Sequence, residues 1–221
     1  MSLYSILIDP LLEDLRIYTI EFSGMKKGDR VLDVGCGTGD QVFYYGKRGI
    51  EATGIDLNPK MIKVAEERKR RENLSNSSFL IADAQKLPFG DNSFDFVSIS
   101  LVLHEIEEGL RDKIISEMKR VLKKDGFLIF IDFKTPPPSN LSSFFVKTIE
   151  YLVGGNHYPY FKNYFEKEGL LPLLLKNKLR PEKIYFLKDG LLVIVKAKII
   201  NEDYYNFNFG NSSLTGIPCL L

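Results

Sequence analysis

The sequence predicts an α/β protein: a doubly wound, mostly parallel seven-stranded sheet with an antiparallel last strand and helices on both faces. Three observations carry that prediction. Short β-rich runs alternate with helical stretches from Arg30 to Phe133, and such alternation builds parallel sheets with crossover helices. A glycine-rich loop, Gly35–Gly39, separates the first of these runs from the helix after it. Two last apolar runs flank Lys188-Asp189-Gly190, and Asp-Gly between strands signals a hairpin.

The elements follow in order. Asp9-Pro10 opens a first helix, about residues 9–24, with Asp9 as N-cap and Pro10 at the first helical position. Leu11, Leu12, Leu15, Ile17 and Phe22 give it an apolar side, and Gly24 and Gly28 punctuate its end. Arg30–Val34 reads as a buried strand, with a helix near Asp40–Arg48 behind the glycines. Glu51–Asp56 is the second strand. Pro59–Glu72 is a helix with Met61, Ile62, Val64 and Ala65 on its inner side. Phe79–Ala82 and Phe94–Ser100 are the third and fourth strands, Leu110–Leu122 a helix, and Gly126–Phe133 the fifth strand. Thr135-Pro-Pro-Pro138 stops that strand, because proline cannot donate to a ladder.

The pattern then changes. Asn140–Val153 is apolar and helical up to Gly154-Gly155, and an aromatic segment, His157–Glu168, follows. Lys183–Leu187 and Leu191–Ile199 supply the last two strands. Residues 1–200 are therefore expected to form one domain with an insertion at about 135–168. The Asn- and aromatic-rich tail 201–221 is expected to be irregular or disordered.

Composition sets outer limits. A chain of 221 residues suits one domain, and 44% hydrophobic with 27% charged residues suits a globular one. A formal charge of +1 gives no composition-level case for nucleic acid. The run Arg68-Lys-Arg-Arg71 ends a helix among Glu66, Glu67 and Glu72 and reads as a solvated helix end. Cys36 and Cys219 make neither a disulfide framework nor a zinc site, and no metal is expected. Cys219 is third from the end, where a prenylation box needs it fourth. No apolar run reaches the roughly 18 residues of a membrane span, and the start has no basic region of a signal peptide. The default setting is cytoplasmic.

The loop Val31-Leu-Asp-Val-Gly-Cys-Gly-Thr-Gly39 is the centre of the functional reading. Glycines between a strand and a helix let the backbone approach a ligand, and the helix behind them offers unpaired N–H groups. The generic expectation is a nucleotide at the carboxyl end of the first strand. A dinucleotide fingerprint needs Gly-x-Gly-x-x-Gly. Gly35 and Gly37 fit, but position 40 is Asp, which would repel a pyrophosphate at the helix N-terminus. A P-loop fails because no Gly-Lys-Ser/Thr follows. Asp33, two residues before the first glycine, suits a ligand bearing an amine. S-adenosylmethionine carries an ammonium and a sulfonium and no phosphate. Asp56, 23 residues after Asp33, ends the second strand, where an acid can hold both ribose hydroxyls.

These residues resemble the class I S-adenosylmethionine-dependent methyltransferases, whose first motif is Asp/Glu-x-Gly-x-Gly-x-Gly. The likeness runs from about Gly28 to Phe133 and is closest to the small-molecule group that includes ubiquinone/menaquinone-biosynthesis enzymes. It also covers Asp83-Ala84, Leu87-Pro-Phe-Gly-Asp-Asn-Ser-Phe-Asp95 and Arg120-Val-Leu-Lys-Lys-Asp-Gly126. The resemblance implies a Rossmann-like fold and a cofactor site formed by Asp33, Gly35, Cys36, Gly37, Gly39, Asp56, Leu57, Asp83, Ala84 and Ser100. In that family the acid matching Asp83 contacts the adenine amine, and the next backbone N–H contacts the ring. The cofactor would leave as S-adenosylhomocysteine, and the acceptor would be a small molecule.

Each residue also has a plainer reading. Asp33 could cap a turn, Asp56 and Asp83 could be loop acids, and Cys36 reads as a small space-filling residue rather than a nucleophile. His104, after the fourth strand, and His157, in the insertion, are the catalytic candidates, since histidine titrates near neutrality. His104 could instead anchor the next helix. The cluster His157, Tyr158, Tyr160, Phe161 and Tyr164 could line an acceptor pocket or form the insertion's own core. Methyl transfer needs in-line positioning and exclusion of water, and a base only when the acceptor must lose a proton. Rival functions are a SAM-binding module without turnover, a nucleic-acid or protein methyltransferase, and an NAD-dependent oxidoreductase. Nucleic-acid amino methyltransferases carry Asn/Asp/Ser-Pro-Pro-aromatic after the fourth strand, where this chain has Ser100-Leu-Val-Leu-His104. The oxidoreductase conflicts with Asp40. The oligomeric state is left open.

Overall fold

A computed structural model describes residues 3–138 and 158–200. Helix α1, Leu3–Ser23, opens the chain. It begins well before the Asp9 cap expected from sequence, so Pro10 lies inside it. The spacing Leu3, Ile6, Leu7 continues the apolar period upstream of the proline, which explains the longer helix. Gly24 ends it at positive φ, with its N–H donating to the Ile20 carbonyl at 3.1 Å.

Strand β1 is Arg30–Val34, helix α2 Asp40–Lys47 and strand β2 Glu51–Asp56. Helix α3, Pro59–Glu72, shows clear terminal signals. The Asn58 side chain accepts from the Lys60 N–H, Pro59 stands in the first turn, and Asn73 closes the helix in the left-handed region. A cap of this kind contributes about 1 kcal/mol. Strand β3, Ser77–Ile81, starts two residues before the expected Phe79 because Ser77 and Ser78 pair with Ala52 and Thr53. Strand β4 is Phe94–Ser100, followed by a 3₁₀ turn, Leu103–Glu105, and helix α4, Glu108–Val121.

Strand β5, Leu122–Phe133, reaches further back than the expected Gly126. Leu122 pairs with Phe94, the register slips, and Phe127 then pairs with Phe96. The charged run Lys123–Asp125 hides this strand start from a periodicity reading, but Lys123 bonds Asp95 at 2.7 Å across the irregularity. Helix α5, Tyr158–Asn163, continues into a π-helical turn, Tyr164–Glu168, and then helix α6, Leu170–Lys176. Strands β6, Leu179–Leu187, and β7, Leu192–Ile199, close the fold as a hairpin. Its turn centres on Lys188 and Asp189, both at positive φ, with Gly190 N–H donating to the Leu187 carbonyl at 3.1 Å. This is the primed turn whose twist matches the strands. The expected helix 140–153, Gly154-Gly155, His157 and the tail 201–221 lie outside the described residues.

The sheet order is β3-β2-β1-β4-β5-β7-β6, with β7 antiparallel to both neighbours. The chain steps outward from β1 through β2 to β3, then returns to the other side of β1 for β4 and β5. Right-handed crossovers then put α2 and α3 on one face and α4 on the other. Val31, Leu32, Ile55, Val97, Ile129, Phe130, Ile194 and Val195 are fully buried along the central strands. Side chains of this size contribute about 1.5–3 kcal/mol each on burial. The reversal of strand order leaves a crevice beyond the carboxyl ends of β1 and β4, the usual ligand position in open α/β sheets.

Gly126 is a steric hinge of the β4–β5 irregularity, since a Cβ there would lie 2.7 Å from the Asp95 carbonyl oxygen. Gly126→Ala should therefore destabilise the fold by about 1–3 kcal/mol. A lowered urea midpoint with an unchanged slope is the expected result.

Candidate active site

The glycine loop fills the crevice between β1 and β4. Its first glycine, Gly35, has φ +70°, and a Cβ there would press on Val102, just past β4, at 2.7 Å. Gly39 has φ +83°, and a Cβ there would meet the Phe79 ring at 2.6 Å and Ala65 at 3.1 Å. Only glycine satisfies both the dihedral and the close approach. Gly37 differs, since nothing lies within 4 Å of its would-be Cβ. Its face of the loop is open. Cys36 N–H donates to the Ile55 carbonyl at 2.8 Å, which ties the loop to the end of β2.

Asp56 completes that tie. One carboxylate oxygen accepts from Gly37 N–H at 2.9 Å and the other from Asn58 N–H at 2.8 Å. The carboxylate thus bridges the glycine loop and the start of α3, and each oxygen keeps a second lone pair. Leu57 beside it is 69% exposed and Ile81, paired with Asp56 across the sheet, 58% exposed. Two large apolar side chains therefore flank the acid at the carboxyl edge. Asp83 and Ala84 follow directly, on a turn where Asp83 accepts from Gln85 N–H at 2.8 Å. Ala82 N–H donates to the Asp56 carbonyl at 3.1 Å and anchors that turn. Ser100 ends β4 opposite Ile131, and Leu101 after it sits at φ +56°.

Asp33 lies one layer deeper. It is buried and accepts from Ser98 Oγ at 2.7 Å, while the buried Tyr45 hydroxyl donates to the same Ser98 oxygen at 3.2 Å. Burial pushes the Asp33 carboxyl up to about 7, against the lowering effects of Ser98 and Arg16, and the nearby Asp56 charge adds to the rise. Burial also pushes the Cys36 thiol up, and the Asp33 and Asp56 charges push it the same way. That opposes thiolate chemistry and agrees with a packing role, its sulfur filling the space above Gly54.

Asp40, the first residue of α2, is ion-paired to Arg68 of α3, lies 3.7 Å from Arg16 of α1, and accepts from Thr38 Oγ at 3.0 Å. Its charge is thus largely matched, so electrostatic repulsion is a weaker argument against a phosphate than the sequence suggested. The carboxylate and the two guanidinium groups beside it stand at the start of α2.

His104 is fully buried in the 3₁₀ turn after β4. Its Nδ1 lies 2.7 Å from an Asp132 oxygen that also accepts from Phe133 N–H at 2.8 Å. Phe133, Phe161 and Tyr164 enclose the ring edge-on, with centroids 4.8–6.3 Å away. Arg111, fully buried on α4, donates to the Leu103 and Tyr160 carbonyls and to Asn163, each at 3.0 Å. It fastens α5 over His104. Phe161 and Tyr164, expected either to line a pocket or to form a separate core, join the main core. Among the described residues no group of three or more His, Cys, Asp or Glu could hold a metal.

Sequence reading missed Ser98 and Tyr45, which look like ordinary strand and helix residues, and Asp132, which lies inside an apolar strand. Ile81 was readable only as part of β3. No single-residue signal marks any of them.

Comparison with known proteins bears on this geometry. Residues 32–130 match the family model described as a methyltransferase domain. That segment is similar to methyltransferase domains. Over 130 residues the chain is 42% identical to the ubiquinone/menaquinone biosynthesis C-methyltransferase UbiE of Pseudomonas paraeruginosa, covering 57% of this chain and 50% of that protein. The namesake from Psychromonas ingrahamii is 37% identical over 133 residues, covering 58% and 52%. The chain therefore spans about half the length of the curated relatives it matches. A SAM-dependent methyltransferase from Aquifex aeolicus shares the fold with a TM-score of 0.65 at 24% identity, covering 88% of this chain and 95% of that one. Geranyl diphosphate C-methyltransferase from Streptomyces coelicolor A3(2), solved with S-adenosyl-L-homocysteine, shares it at 0.64 and 16% identity, covering 87% and 82%. The matched segment holds the glycines Gly35–Gly39, Asp56, Asp83 and Ser100, and ends inside β5.

The buried Asp33 gives a pH signature. The folded protein keeps its proton up to about pH 7, whereas an unfolded chain releases it near pH 4. Between those values the folded state binds more protons, so this contribution favours folding below about pH 4, fades as pH rises toward about 7, and is constant above. Asp33→Asn keeps a partner for Ser98 and removes the charge. The stability gap between variant and wild type, read from urea midpoints, should widen in the variant's favour from pH 4 to 7. A gap that ignores pH would contradict the buried proton.

Proposed function

We propose that this chain transfers a methyl group from S-adenosylmethionine to a small-molecule acceptor by direct in-line displacement, releasing S-adenosylhomocysteine. The observation that carries the reading is the Asp56 carboxylate. Backbone N–H groups of Gly37 and Asn58 fix it beside an open glycine face, with lone pairs left for a diol. A ribose edge fits that arrangement.

The surrounding residues suit the rest of the cofactor. Leu57 and Ile81 offer apolar faces to an adenine ring, with Asp83 and the Ala84 N–H at its polar edge. Gly35, Cys36, Gly37 and Gly39 would contribute backbone to the loop cradle, and Ser100 its position at the end of β4. Asp33 sits beneath the loop, where an ammonium group would favour its ionised form. Bound S-adenosylmethionine supplies a methyl group on an activated sulfonium leaving group. The protein's part is then to fix the acceptor in line and exclude water.

The acceptor would approach beyond β4 and β5, near the aromatic wall of Phe133, Phe161 and Tyr164. The enclosed His104 supports a role in orienting that wall more directly than contact with the acceptor. His157 remains a candidate base. The names of the UbiE relatives put ubiquinone and menaquinone precursors first among acceptors to screen. The two cysteines among 221 residues fit a cytoplasmic setting.

Calorimetry should detect S-adenosylmethionine or S-adenosylhomocysteine binding and no NAD affinity. Tight NAD binding without S-adenosylmethionine binding would sink the proposal. Asp56→Ala should weaken cofactor binding by roughly tenfold or more, since charge-assisted hydrogen bonds to two hydroxyls are lost. Normal affinity in that variant would remove Asp56 from the site. With an acceptor in hand from the screen, His104→Ala should slow turnover while leaving cofactor affinity within about twofold. An unchanged rate would make His104 purely structural.

A further inference from the structure

Helix α1 is clamped to α2 where α2 begins. Gln41 Nε2 donates to the Arg16 carbonyl at 3.1 Å, and the Tyr44 hydroxyl donates to Glu13 at 2.8 Å. Gln41 and Tyr44 share one face of α2, being three positions apart. Leu15, Thr19, Ile20 and Phe22 bury the inner side of α1. Arg16 is therefore held beside the glycine loop by its own backbone as well as by its charge.

The Arg16 side chain is only 14% exposed, which is unusual for a charge that merely meets solvent. Its guanidinium stands 3.7 Å from one Asp40 oxygen, within ion-pair range but beyond hydrogen-bond length. That oxygen accepts from Thr38 Oγ at 3.0 Å, and the other is bonded by Arg68. Asp33 is a second acidic neighbour. Burial raises the Asp33 carboxyl, and Ser98 and the Arg16 charge oppose that rise. The guanidinium is thus within electrostatic reach of the buried acid.

A cation from α1 and an acid from β1 therefore neighbour each other at the loop. The head of an α-amino acid carries the complementary pair, an ammonium and a carboxylate on one carbon. A site for such a head needs an acid and a cation close together. A guanidinium suits the carboxylate, because its planar fork can donate two parallel hydrogen bonds.

On the basis of the cofactor proposed above, we propose that Arg16 recognises its amino-acid carboxylate and so selects S-adenosylmethionine over adenosyl ligands lacking that group. Asp33 then serves the ammonium, Asp56 the ribose and Arg16 the carboxylate. Asp40 orients the guanidinium without saturating it, since arginine carries five N–H donors.

Calorimetry with S-adenosylmethionine, decarboxylated S-adenosylmethionine and 5′-methylthioadenosine tests the assignment. Wild type should bind the decarboxylated ligand roughly tenfold or more weakly than S-adenosylmethionine. Arg16→Gln should lose that preference, binding the two within about threefold of each other. Arg16→Lys keeps the charge without the fork and should fall between them. 5′-Methylthioadenosine lacks the whole amino-acid arm, so both variants should bind it within about twofold of wild type, which also reports an intact loop. A wild type indifferent to the carboxylate overturns the proposal. So does an Arg16→Gln variant that weakens all three ligands equally and keeps the wild-type preference, which would make Arg16 only a clamp of α1. A wild type that binds none of the three overturns the proposed cofactor, and this assignment with it.

Discussion

The site depends on a steric constraint: three backbone segments must meet where no Cβ can stand. Gly39 lies under the Phe79 ring, Gly35 against Val102, and Gly54 under the Cys36 sulfur. Together these approaches draw the ends of β1, β2 and β4 into one small volume. The Asp56 carboxylate can then hold Gly37 and Asn58 at once. A side chain at either loop position would push the segments apart and leave the acid bridging nothing. The apolar sheet beneath makes this geometry stiff, since its central strands are fully buried.

The same compression creates an electrostatic problem. Asp33, Asp40 and Asp56 gather around one loop, and each is handled differently. Asp33 is buried on a hydroxyl relay and raised toward neutrality. Asp40 is matched by Arg68 and Arg16, brought from two other helices. Asp56 stays at the rim, where backbone dipoles satisfy it.

Much of this was legible in the residues. Alternation of apolar runs with helical spacing predicts the five parallel strands, and Asp-Gly predicts the last hairpin, although its turn centres one residue earlier. The glycines and Asp56 stand out by type and spacing. What escaped has physical reasons. The start of β5 carries charge, because an irregular strand end beside water need not alternate. Helix α6 reads as a bare leucine run, with too few polar residues to define a face. The Asp132–His104 pair joins residues 28 apart that only strand register brings together. His157 lies outside the described residues and keeps only its sequence reading.

Lys196 of β7 lies 3.8 Å from the Phe127 ring and donates to the Ser23 carbonyl at 2.5 Å, across 173 residues of sequence. It binds the end of the first helix to the last strand, which alone flanks β5 on its outer side. During synthesis the glycine loop and every strand up to β5 leave the ribosome before this closure can form. The early segment must therefore wait, with the outer edge of β5 uncovered, until the last strand emerges. A nascent chain of this design is exposed to aggregation from the emergence of β5 until β7 follows it.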